Sequence, residues 1–179
     1  QSNTVWMNNG SGTFTLNQTL SQTSMGRKVV LADFDNDTDL DAFILNDGET
    51  NVVWQNASGT FGSILSRPGC HAGRDAVAGD FNGDGKTDLF IVNDDFASQV
   101  WTNDGAGGFT VSTNVHPEGG ISAATGDLDN DNDLDIVIGC TNGPAITYRN
   151  DGSGGFGTTF ANNIPGTCGA VQLGCLDGD

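Results

Sequence analysis

Carboxylates recur at alternate positions in three short stretches of the chain. Asp33, Asp35, Asp37 and Asp41 fill positions one, three, five and nine of the pattern D-x-[DN]-x-D-x-x-x-D. Asp80, Asn82, Asp84 and Asp88 fill it again, and Asp127, Asp129, Asp131 and Asp135 fill it a third time. A tightly curled chain brings alternate side chains to one centre. Position seven would add a backbone carbonyl, from Asp39, Lys86 or Asp133. So many hard oxygen donors suit Ca2+, which takes about six to eight, better than Mg2+, which demands a tight octahedron. No soft ligand accompanies the stretches, so zinc and copper are not expected. The summed ligand charge is -4, -3 and -4. Carboxylates packed this closely repel one another unless a cation joins them. We therefore expect about three Ca2+ ions, one per complete loop. The competing reading is a set of acidic turns whose Asp side chains cap their own backbone. Three copies in register weigh against turns alone.

Other calcium loops fail on the residues. An EF-hand needs a Glu at position twelve and flanking helices. Ile44, Ile91 and Ile138 stand there instead. Nonapeptide calcium rolls repeat every nine residues or so, whereas these stretches recur every 47.

That spacing has an independent witness. Trp6, Trp54, Trp101 and Tyr148 lie in VWMN, VWQN, VWTN and TYRN, spaced 48, 47 and 47. Each precedes a Gly-rich turn and a Phe: Phe14, Phe61, Phe109 and Phe156. Both aromatic series are read as core between repeats, because a residue recurring in every unit among alternating apolar residues packs. Each unit reads as four short strands: a small-residue run before the Asp loop, a β-rich run after it, the aromatic strand, and a last strand at the Phe. Turn residues bound every run. Units of roughly 45 residues with four strands are the signature of a β-propeller blade. The fold class is therefore all-β, a propeller of four-stranded antiparallel blades, with 179 residues making about 3.8 units. Residues 1–22 read as the last two strands of a blade. Residues 26–66, 73–114 and 120–162 read as whole blades, and 167–179 as the first strand and cut loop of another. Cys175 stands where that loop's first Asp belongs, so no complete site is assigned there. The out-of-phase ends suggest a piece of a longer repeat protein, one that closes on itself or one that pairs with a second copy to complete a ring.

Composition agrees. The chain has 27 Gly, and 23 acids against 6 Lys plus Arg, for a formal charge of -17. Only two of the acids are Glu. Glu favours helices, and Asp favours turns and caps. A nucleic-acid partner is not expected without a basic face. No apolar run approaches the roughly 20 residues of a membrane span.

The run VAGDFNGDGKTDLFIVN (77–93) with VWTNDGAGGF (100–109) resembles the FG-GAP/VCBS repeats of the integrin α-subunit propeller and of bacterial secreted and surface proteins. The resemblance implies a β-propeller with an Asp loop between the first and second strands of each blade. It also implies Ca2+ at the positions named above.

Little else suggests chemistry. His71 and His116 lie in loops between units, and no nucleophile elbow, zinc motif or phosphate loop is present. The chain is not expected to be an enzyme. Cys70, Cys140, Cys168 and Cys175 permit up to two disulfides of open connectivity. Arg27 and Arg74, at matched positions, should pair with nearby acids. The expected function is a calcium-binding extracellular or cell-surface module that binds an unknown protein or glycan. The alternatives are a propeller lectin, or the propeller domain of a secreted lyase or hydrolase. Specificity would lie in the loops joining units: 66–71, 115–119 and 163–166.

Overall fold

The computed structural model describes residues 2–21, 25–66, 73–115, 119–141, 143–159 and 169–173. Fourteen strands and no helix lie among them. β1 (Thr4–Asn8) and β2 (Phe14–Thr19) form a hairpin. β3 (Gly26–Ala32), β4 (Asp41–Asn46), β5 (Val52–Ala57) and β6 (Thr60–Ser66) make the first antiparallel four-stranded sheet. β7 (Gly73–Gly79), β8 (Asp88–Asn93), β9 (Ser98–Asn103) and β10 (Phe109–Val115) make the second. β11 (Gly120–Gly126), β12 (Asp135–Cys140), β13 (Ile146–Asn150) and β14 (Phe156–Thr159) make the third. Each sheet is a simple meander. Its register repeats: Leu31 faces Ala42, Ala78 faces Leu89, and Thr125 faces Ile136.

The second strand of each sheet is buried on both faces. Side chains alternate along a strand, so one strand can serve two interfaces. Leu89 and Ile91 of β8 pack with Phe43, Leu45 and Val53 of the first sheet. Phe90 and Val92 point the other way, onto Ile136, Ile138 and Tyr148 of the third. The first strands run side by side, with β7 against both β3 and β11. Small residues allow that approach. A Cβ on Gly73 would stand 2.6 Å from Leu45 Cδ1, and one on Gly120 would stand 2.7 Å from Val92 Cγ1. These glycines let successive sheets close onto one another.

Trp54, Trp101 and Tyr148 are buried, as a core series should be. Phe61, Phe109 and Phe156 are half-buried against the same clusters. The first copy departs from that expectation: Trp6 is 54% and Phe14 60% exposed. The reason is structural. In the second and third sheets a preceding Asp loop covers the last two strands, with Phe34 against Phe109 and Phe81 against Phe156. Among the described residues no such loop covers the first hairpin, and β1 pairs only with β2.

Candidate metal centre

Each Asp stretch links a first strand to a second, and position nine opens the second strand. The curl comes from two residues in the left-handed region. Position four has φ of 60° at Asn36, 72° at Gly83 and 62° at Asn130. Position six has φ of 76° at Thr38, 80° at Gly85 and 72° at Asn132. Only Gly, and to a lesser degree Asn, adopts this conformation readily.

Carboxylates hold the curl. Asp33 accepts from the backbone N–H of Asp37 (3.1 Å) and Thr38 (2.9 Å). Asp80 and Asp127 accept likewise, with Gly85 N and Asn132 N at 2.8 and 2.9 Å. At position five, Asp37, Asp84 and Asp131 each accept from the N–H two residues on. The position-seven side chain of Asp39 turns outward to accept from Ser58 N at 2.7 Å. At position nine, Asp41 accepts from Phe34 N (3.0 Å) and from Asn56 N (2.8 Å). Asp88 and Asp135 repeat that arrangement with Phe81 and Asn103, and with Leu128 and Asn150.

The acids thus do cap their own backbone. Capping does not use every oxygen. Asp35 Oδ1 and Asp129 Oδ1, at position three of the first and third loops, are buried without a hydrogen-bond partner. Their other oxygens are held from the aromatic strand, by Gln55 Nε2 at 2.7 Å and by the Arg149 guanidinium. Gln55 and Arg149 occupy equivalent places before the strand's Asn. In the second loop position three is Asn82, which accepts from Asp84 N at 3.0 Å. Thr102 stands at the matching place there and donates to Thr110 O instead. Lys86 Nζ lies 3.3 Å from Asp84 Oδ2 in that loop.

Asp33, Asp35 and Asp37 each bring an oxygen within 4.8 Å of the others, and so do Asp127, Asp129 and Asp135. A buried carboxylate oxygen with no partner is costly. Oxygens converging around it are a donor set for a hard cation. The first and third loops can hold a metal ion. The protonation energetics carry the same strain. Burial foremost, then the charges of Asp35 and Asp37, pushes the Asp41 carboxyl up, against its two N–H donors. Asp88 is raised in the same way, with Asp84 and Asp80 as its neighbours. Burial followed by acidic neighbours also raises Asp133. At Asp127 burial acts upward, but four backbone N–H donors outweigh it and hold the pKa low.

Three residues outside the pattern complete the loops. Asn56, Asn103 and Asn150 close VWQN, VWTN and TYRN. Their Nδ2 atoms donate to their own loop at position eight: Leu40 O (3.0 Å), Thr87 O (3.0 Å) and Leu134 O (3.2 Å). Asn103 and Asn150 also reach the preceding loop, at Phe34 O (2.8 Å) and Phe81 O (2.9 Å). The signal was present in the repeat itself, since Asn recurs with the aromatic at the same spacing. Arg27 pairs with Asp47 at 2.7 Å and Arg74 pairs with Asp94, as expected from their matched positions. Cys70, Cys168, Cys175, His71 and His116 lie outside the described residues, as does most of the loops joining units. Cys140 is buried.

An FG-GAP-like repeat matches the chain at residues 1–44, 33–91 and 80–138. The chain belongs to the FG-GAP-like repeat family. Consecutive FG-GAP matches overlap at 33–44 and 80–91, each an Asp loop with the start of the strand after it. No curated protein matches the chain. Among the described residues of this FG-GAP-repeat protein, no helix is long and apolar enough to cross a membrane.

Proposed function

We propose that the chain is a Ca2+-binding β-propeller module of an extracellular or cell-surface protein. Its cations are structural, its partner is a protein or glycan, and it has no catalytic role. The propeller arrangement is supported by four-stranded meanders laid side by side through their first strands, at a constant 47-residue period. The partner-binding role rests on the family resemblance.

The observation that carries the cation reading is the pair of buried, partnerless oxygens on Asp35 and Asp129. Asp33, Asp35, Asp37 and Asp41 would hold one ion, Asp80, Asn82, Asp84 and Asp88 a second, and Asp127, Asp129, Asp131 and Asp135 a third. The position-seven carbonyls of Asp39, Lys86 and Asp133 complete the donor sets. An all-oxygen set on a loop of this kind favours Ca2+ over Mg2+. The ion would neutralise carboxylates that otherwise repel, and would staple the loop between two strands. Three Ca2+ would bring the formal charge from -17 to -11.

Calorimetric titration of chelator-stripped protein tests this reading. Saturable Ca2+ binding that excess Mg2+ does not displace is expected, with weakest binding at the loop containing Asn82. Heats no larger than dilution, together with no calcium in elemental analysis, would contradict it. The lectin alternative is weakened by burial of Trp54, Trp101 and Tyr148, which leaves those rings no open face for a sugar.

A further inference from the structure

We propose that Asn103 and Asn150 couple neighbouring Asp loops, so that a cation bound in one loop raises the affinity of the next. This inference rests on the cation reading of the loops. Asn103 is bonded to the loop of its own repeat and, through Nδ2, to the loop of the repeat before it. Its backbone N–H donates to Asp88 Oδ1 at 2.8 Å, a ligand position of the second loop. Its Nδ2 donates to Phe34 O of the first loop at 2.8 Å, and to Thr87 O of the second at 3.0 Å. Its Oδ1 accepts from Gly105 N at 3.0 Å. Phe34 is itself fixed at its other end, since its N–H donates to Asp41 Oδ2 at 3.0 Å. One continuous path of hydrogen bonds thus runs from Asp41, a ligand position of the first loop, through Phe34 and Asn103 to Asp88.

The path repeats one unit on. Asp88 accepts from Phe81 N at 3.2 Å, and Phe81 O accepts from Asn150 Nδ2 at 2.9 Å. Asn150 N donates to Asp135 Oδ1 at 2.9 Å. The buried rings of Phe34 and Phe81 lock the same peptides into the next sheet. A second tie joins the first pair, from Asn36 Nδ2 to Gly105 O at 3.2 Å.

Coupling follows from shared ordering. An ion that fixes the first loop fixes the Phe34 carbonyl. Asn103 is then held, and Asp88 is already oriented when the second ion arrives. A second ligand that meets a site already ordered binds more tightly. The effect must be reciprocal. The second loop is the one to read, since it has a coupled loop on each side and its own donor set is the weakest, with Asn82 in place of a carboxylate and Lys86 paired with Asp84.

Ca2+ titration of the full chain, followed by amide NMR at Gly83 and Gly85, reads the second loop alone. In the native chain, disabling the first loop with Asp35→Ala should lower the second loop's affinity about fivefold or more. In an Asn103→Ala background, Asp35→Ala should change it less than about twofold. Asn56→Ala, which cuts a bond to Leu40 O within a single loop, should leave the fivefold dependence intact. Asn36→Gly keeps the left-handed backbone, cuts the second tie, and should reduce the dependence by itself. It serves as the variant of record if Asn103→Ala loses its native amide dispersion. Saturable binding in which Asp35→Ala never alters the second loop overturns the coupling and leaves the cation reading standing. Absence of any saturable Ca2+ binding overturns both.

Discussion

Thr38 stands where the backbone calls for glycine. Its φ of 76° lies in the same left-handed region as Gly85 (80°) and Asn132 (72°) at the same loop position, but Thr is β-branched. Such a residue costs on the order of 1–3 kcal/mol in this region, partly offset by the entropy that Gly loses on folding. Thr38→Gly should therefore stabilise the protein by about 1 kcal/mol, read as a higher urea midpoint at unchanged slope. Gly85→Thr should lose a similar amount, although nothing lies within 4 Å of the added Cβ, because the cost is conformational. Tyr148, the chain's single tyrosine, offers a spectroscopic check on burial. Its phenol is pushed up to about 12 by burial first, with Cys140 adding to the shift. A raised folded-state pKa means the fold favours the protonated phenol. Its contribution is intact below the ordinary value of about 10 and is lost as pH rises through about 12. Tyrosinate absorbance should stay low past the ordinary value while circular dichroism remains native. Ionisation at the ordinary value in still-folded protein would show the ring to be exposed.

At the scale of elements, a loop is stable because the following sheet covers it. Phe34 and Phe81 are fully buried at position two of their loops, whereas Leu128 at the same position of the third loop is 40% exposed. Phe81→Ala should cost about 3–5 kcal/mol, while Leu128→Ala should cost less than about 1 kcal/mol, both by chemical denaturation. Equal losses would mean that the third loop is covered as the second is. The same contrast shows what could be read from the residues. The Asp loops, their period and the four-strand unit were legible, because alternating donors, turn residues and aromatic strands are local signals. Burial of Trp54 and Trp101 was legible by repetition. The exposure of Trp6 was not, since it depends on which element lies alongside, a property of the neighbour. Gln55 and Arg149 carry no repeat signal, because the residue type at their position differs between units, although both grip a position-three carboxylate. Asn103 was visible as a repeated letter, but its partner Phe34 lies 69 residues away, and only the stacking of sheets joins them.

At the scale of the whole molecule, 13 of the 23 acids sit in the three complete loops. The charge of -17 is therefore concentrated at repeat spacing along one series of strand connections. Hydrophobic burial is thin by comparison: the outer strands β2 and β6, and all of β10 but Val115, are exposed or half-exposed. Cations should then decide stability, and salt alone should not replace them, because screening acts weakly within a converged site. The most direct test is thermal unfolding of the same protein in saturating Ca2+ and in chelator, at matched ionic strength. At about a hundredfold excess over Kd each site adds about 2.7 kcal/mol, and each kcal/mol moves Tm by about 2–4 °C in a chain this size. A rise in Tm of more than about 10 °C with Ca2+ is expected. Superimposable melts with and without the chelator would contradict the assignment of the Asp loops as cation sites.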